Sequence, residues 1–233
     1  QITIGHAGFM SVGAYAAALF TKSGIVEGLP GYFLALIIGG AVAGIVGIII
    51  GIPALRLNGD YLAIITLAFG EIIRVLIEYF DFTGGAQGLR GIPRYNKIEI
   101  IFIIMVVCVM MMFSLMTSRH GRAVLSIRDD EIASGASGVN TTYYKTFAFT
   151  VSAVFAGIAG AVYAHHLGIL GAKQFDFNYS INILTMVVLG GMGSFTGSVL
   201  SAIVLTIVPE MLREFSDYRM IVYSLLLILT MIF

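Results

Sequence analysis

The chain has 233 residues, of which 58% are hydrophobic and 11% charged, and its mean hydropathy is +0.97. A water-soluble domain carries about 25% charged residues, so a soluble fold is excluded and lipid is the solvent for most of this surface. The 13 basic and 13 acidic side chains cancel, which argues against nucleic acid as a partner, and the single cysteine, Cys108, excludes an internal disulfide.

A membrane-spanning helix needs about 20 mostly apolar residues. Seven runs meet that requirement: 2–21, 32–52, 61–80, 98–117, 146–170, 181–208 and 218–233. Backbone in lipid must satisfy its own hydrogen bonds, so runs of this length are helices. The prediction is an all-α, polytopic transmembrane bundle forming one domain over 1–233. All four prolines fall near the edges of the runs, where a missing N–H does least harm. The chain opens at Gln1 in a patterned stretch and closes at Phe233 inside an apolar run, and so reads as an incomplete chain. A secretory signal peptide is not visible.

The first run opens QITIGHAGFMSVGAYAAA, where Gly5, Gly8 and Gly13 interleave with Gln1, Thr3, His6 and Ser11. Gly5, His6 and Gly8 make a poor lipid-facing helix, which predicts a kinked helix start lining a cavity. Gly40, Gly44, Gly47 and Gly51 follow at four-residue or near-four-residue spacing in the second run. Later come the ridges Ala153, Gly157, Ala161 and Ala156, Gly160, Ala164. Such ridges let helix backbones approach closely, within this bundle or against a second membrane subunit.

In the third run, Glu71, Arg74 and Glu78 are three and four residues apart, share one helix face and can pair. A charge at the centre of a spanning helix costs about 2.5–3.5 kcal/mol. Glu71 and Arg74 are therefore expected to face protein or a polar cavity, either as an internal ion pair or as a polar element of a transport path. His165 and His166 point about 100° apart on a helix and cannot chelate one ion; they read as interfacial polar residues. The run 181–208 holds GGMGSFTG, with Gly190, Gly191 and Gly193 ahead of Ser194. This is either a flexible continuous helix or a broken, re-entrant one, and interrupted helices often mark substrate paths in transporters. The stretches 5–8 and 190–197 are expected to face one polar cavity, with Phe9, Met10, Met192 and Phe195 as its apolar wall. Metalloprotease, nucleophile-elbow and P-loop motifs are missing from the sequence. Nothing in it reads as an enzyme, a metal centre or a cofactor site.

The polar loop 118–145 carries four basic and three acidic residues between two apolar runs. Arg122 and Arg128 precede Asp129, Asp130 and Glu131, then small residues from Ala133 lead to Gly138. This pattern suits one brief helix with a small-residue face, of the kind that lies in a groove of a partner protein. Its mixed signs argue against a plain lipid anchor.

The segment GRAVLSIRDDEIASGASGVNTTYYKTFAFTVSAVFAGIAGAVYA resembles the coupling-loop region of branched-chain amino acid ABC transporter permeases of the LivM/LivH type. Gly121, Arg122, Ala123, Ile127, Arg128, Glu131, Ala133, Gly138, Lys145, Ala148 and Phe149 match its pattern, while Ser126 and Ser134 replace alanines. The opening stretch, with Thr3 for serine, LNGDYLAIITLAFGEIIRVL, TGGAQGL and VLGGMGSFTGSVL also resemble that family, and its LivM branch in particular. The resemblance implies a multi-pass permease subunit in a bacterial or archaeal cytoplasmic membrane, translocating branched-chain amino acids. It also implies a LivH-type second permease, two ATP-binding subunits on the inside and a solute-binding protein on the outside. Relatives of the family carry urea or short amides. Outside the family, an ATP-independent transporter or channel and a non-transporting scaffold are the competing classes. With the loop placed inside, Arg56, Arg119, Arg122, Arg128 and Lys145 face Lys22, Arg90, Arg94, Lys97 and Lys173 outside, so positive charge does not decide the orientation.

Overall fold

The computed structural model describes residues 3–57 and 59–211. Nine α-helices account for most of that stretch: α1 His6–Lys22, α2 Gly28–Ala54, α3 Asp60–Tyr79, α4 Ile98–Thr117, α5 Arg119–Asp129, α6 Glu131–Ala136, α7 Thr141–Leu167, α8 Phe177–Leu189 and α9 Phe195–Met211. Two short strands, β1 Leu89–Arg90 and β2 Ile169–Leu170, pair antiparallel, with Leu89 opposite Leu170. The chain divides into two compact units, 1–180 and 181–233.

Three helices, α2, α4 and α7, are each long and apolar enough to cross a membrane. The other predicted runs depart from that simple form for physical reasons. The first helix starts at His6, with Gly5 at its N-cap, and is only 17 residues long. The third keeps its 20 residues but carries charge. The run 181–208 is divided. Gly191 and Gly193 sit at φ +87° and +102°, a conformation that side-chain-bearing residues rarely adopt, and this ends α8 and starts α9. Ser194 caps the new helix, its Oγ accepting from Gly197 N at 3.1 Å. The run 218–233 lies outside the described residues.

In the first unit, α1, α2 and α7 pack backbone to backbone on their small residues. A Cβ on Gly13 would collide with the Gly157 backbone, and one on Gly160 would meet the Met10 carbonyl. Gly39 lies against the Gly13 carbonyl, and Gly44 and Gly47 lie against Val154 and Ala153. The ridges in the sequence are thus filled by packing within this unit. Around them, Phe9, Ile50, Leu62 and Phe149 form one apolar cluster, and Tyr15, Leu89, Leu170 and Phe175 belong to another. The fourth helix, by contrast, is partly or fully exposed along its length.

At one end of α7, His165 is fully buried within the protein. Its Nδ1 lies 2.7 Å from Ala161 O and its Nε2 3.1 Å from Thr21 Oγ1, and its ring meets Tyr32 edge-on. His166 is exposed.

Candidate functional site

The start of α1 is held by backbone contacts that only glycine permits. A Cβ on Gly5 would lie 2.6 Å from Thr66 O, and one on Gly8 would lie 2.8 Å from Gly70 Cα. These glycines let α1 and α3 touch without intervening side chains. Ile4 N donates to Thr66 Oγ1 at 3.1 Å, and Ala7 N donates to Ser180 Oγ at 3.3 Å. The second of these satisfies one of the N–H groups that a helix start leaves free. Behind it, Asp176 caps α8, accepting from Tyr179 N at 2.9 Å and from the Asn178 amide at 3.0 Å.

Between these elements lies a small cavity with about 10 Å³ of room for water, roughly one molecule's worth. Ala7, Gly8, Gly70, Glu71, Asp176 and Ser180 are among its lining residues. Arg74 Nε donates to Glu71 Oε2 at 2.7 Å, and Arg74 Nη1 donates to Glu78 Oε2 at 3.2 Å. Asp176 adds a further negative charge near the same guanidinium. Two carboxylates therefore bond one guanidinium and a third acts on it through space, beside the start of a helix whose dipole is positive there.

Within the first unit, the sequence-predicted path residues do not all line the cavity. Gly8 and Glu71 line the cavity, Gly5 frames it from the α1–α3 contact, and Arg74 bonds to Glu71. His6 lies beside Thr3, its Nδ1 3.4 Å from the hydroxyl. Phe9 points elsewhere: it is buried in the core, 5.4 Å edge-on from Phe149, so packing uses it rather than the cavity. Met10 is likewise buried in the core. Gly190, Gly191, Gly193 and Ser194 form the tight turn of the second unit, where Gly190 lies against Gly197 and Ser201 Oγ bonds to Met186 O. Ser180 and Asp176 were missed because their sequence neighbourhood carries no signal for a site next to α1. Among the described residues, no group of three His, Cys, Asp or Glu side chains is placed to hold a metal.

The polar loop is more structured than one brief helix. It holds two, each with its own cap: Ser118 Oγ accepts from Gly121 N at 3.2 Å, and Asp130 Oδ1 accepts from Ile132 N and Ala133 N at 2.9 and 3.0 Å. Arg128 and Glu131 therefore lie on different helices, a correction that follows from Asp130 being the better cap than a helix-interior residue. Arg122 Nη1 donates to Thr117 O at 3.0 Å, and Arg128 pairs with Asp129 at 2.9 Å. Glu131 pairs with Lys145 on α7 at 2.5 Å. Ala133 is exposed, and Gly138 closes the turn at φ +87°. The sequence reading also passed over Ile132, which is 85% exposed on α6. Its signal was present: one large apolar residue set among charges.

An apolar helical bundle with three helices long and apolar enough to cross a membrane is a multi-pass membrane protein. The chain belongs to the branched-chain amino acid transport system / permease component family, whose profile matches residues 1–231. It is 35% identical over 266 aligned residues to the Escherichia coli K12 "High-affinity branched-chain amino acid transport system permease protein LivM", covering 99% of this chain and 62% of that one. The Salmonella typhimurium protein of the same name matches at the same identity and coverage. The Escherichia coli K12 LivH permease matches at 27% over 117 residues, covering 49% of this chain and 38% of that protein. This chain thus spans 62% of the length of the LivM relatives. No solved structure matches it.

Proposed function

We propose that this chain is the membrane-spanning subunit of an ATP-driven importer for branched-chain amino acids, working in a bacterial or archaeal cytoplasmic membrane. Its partners in this reading are a second, LivH-type permease, two ATP-binding subunits that meet the loop 118–145, and a solute-binding protein on the opposite side. The reading draws on the names of the relatives, which specify high-affinity branched-chain amino acid transport, and the partial likeness to LivH fits a system with two related permeases.

The crevice at the start of α1 carries the chemical side of the proposal. An amino acid's ammonium group suits Glu71 and Asp176, and its carboxylate suits the N–H groups at the helix start. In the present state there is room for about one water, whereas small-molecule sites measure about 300–1,000 Å³. The conformation is therefore closed at this point, and substrate passage requires α1 and α3 to part at Gly8 and Gly70.

The test is ATP hydrolysis by the complete complex in lipid vesicles, driven by binding protein loaded with leucine, isoleucine, valine or urea. Stimulation by the three amino acids together with their accumulation in the lumen is expected. Stimulation by urea alone would reassign the substrate. Flux that ignores ATP would indicate a secondary transporter or channel instead.

A further inference from the structure

We propose that the ion pair between Glu131 and Lys145 is the strap through which movement of the α5–α6 loop reaches α7, which makes Lys145 a positioning residue for transport. This inference rests on the reading that the loop 118–145 meets an ATP-binding subunit.

The geometry has three parts. First, the chain between α6 and α7 is a tight turn: Gly138 sits at φ +87° with open space around it, and Val139 N donates to Ser134 O at 3.1 Å. A turn of that kind is a natural pivot, because glycine carries little torsional penalty there. Second, Lys145 Nζ reaches back over the turn to Glu131 Oε1 at 2.5 Å, across 14 residues of sequence. The bond closes a ring from α6 through the pivot to α7. With it in place, a swing of α6 about Gly138 must either break the pair or carry α7 along. The lysine end is well covered, its side chain 10% exposed, while the glutamate end is 47% exposed on the free surface. The strap is thus fixed at the bundle and open at the outer helix. Third, Ile132 beside Glu131 is 85% exposed. Successive helix residues point about 100° apart, so α6 offers an outward apolar contact and an inward charged one at the same time.

What α7 receives, it passes on. It is a single helix of 27 residues, and its Gly157 and Gly160 lie against the backbone of α1 at Gly13 and Met10. Contacts between backbones leave no side-chain layer to absorb a displacement, and close-packed interiors transmit strain. The first helix begins at the crevice, where Gly8 touches Gly70. A force on α6 is therefore delivered to the α1–α3 contact that must open for substrate to pass.

The experiment uses the full complex with leucine as transported probe. Lys145→Met, Glu131→Gln and the reversed pair Lys145→Glu with Glu131→Lys are compared for capture of the ATP-binding subunit and for leucine moved per ATP hydrolysed. Each single variant should retain the subunit and lower the ratio at least about fivefold, the small end of ordinary coupling between sites. The reversed pair should restore it. A wild-type ratio in both single variants, a reversed pair as poor as the singles, or loss of the subunit from the singles would each overturn the strap. Ile132→Asp separates this inference from the reading beneath it. If that variant holds the ATP-binding subunit and transports normally, the docking reading fails. If it sheds the subunit while Lys145→Met transports normally, docking stands and the strap falls.

Discussion

The three charges on α3 behave as one group. Arg74 bonds to both Glu71 and Glu78, with side chains between 24% and 36% exposed. In an apolar environment the cost of removing a partner depends on what is left behind. Removing Glu71 leaves Arg74 bonded to Glu78. Removing Arg74 leaves two carboxylates on one face, with Asp176 adding to the same field. Arg74→Gln should therefore destabilise the protein more than Glu71→Gln, and Glu71→Gln should partly rescue Arg74→Gln. The expected coupling between the two is about 0.5–3 kcal/mol, read from thermal unfolding in one detergent. Additive losses would show that the two side chains act independently. The spacing of these residues made the pairing legible in the sequence, because i,i+3 and i,i+4 neighbours meet on any helix. Asp176 was not legible, since it is brought to them only by the path of the chain after α7.

At the scale of elements, the boundaries followed the apolar runs wherever local physics decided them. The fourth helix ends where its run ends, at Ile98 and Thr117. The second begins four residues earlier than expected and takes Pro30 into its first turn, where proline's missing N–H is free of cost. The seventh starts at Thr141 rather than 146 because Asn140 Oδ1 caps it, accepting from Tyr143 N at 3.0 Å, a polar signal that an apolar-run criterion passes over. The β1–β2 pair had no local signature, since each strand is two residues long. The small-residue ridges were legible as contact surfaces but not as contacts with any particular partner. They now make a direct prediction. A Cβ on Gly157 would press on the Ala43 side chain and lie 2.7 Å from Gly39 O, closer than side-chain carbons come to a backbone. Gly157→Val should cost at least about 1–3 kcal/mol, the range for overpacked cores, with a matching fall in folded yield. By contrast, Gly171→Ala has open space around it and should leave yield near wild type. Equal yields for the two would argue that the α1–α2–α7 contact is looser than its geometry.

For the whole molecule, the question is which ends face which side of the bilayer, and basic residues do not answer it because they divide evenly. The helices do constrain the answer. The seventh has 27 residues, about 40 Å at 1.5 Å per residue, against a hydrocarbon core of about 30 Å. It joins the α5–α6 loop to β2, and β2 is paired to β1. The fourth helix, 20 residues long, links the chain after β1 back to the same loop. If α4 and α7 both cross, they connect the same pair of ends, and the loop and the β1–β2 pair lie on opposite faces of the membrane. If the loop meets ATP-binding subunits, it is the inner end. Labelling with an impermeant maleimide decides the matter, after Cys108→Ser removes the one native thiol. Arg90 and Ile132 are both exposed, so a cysteine at either is within reach of reagent in water. Arg90→Cys should label in intact cells, and Ile132→Cys only after the membrane is opened. The reverse pattern would invert the orientation and with it the docking of the loop on ATP-binding subunits. Labelling of both from one side would mean that α4 and α7 do not both cross, against the length and hydropathy of each.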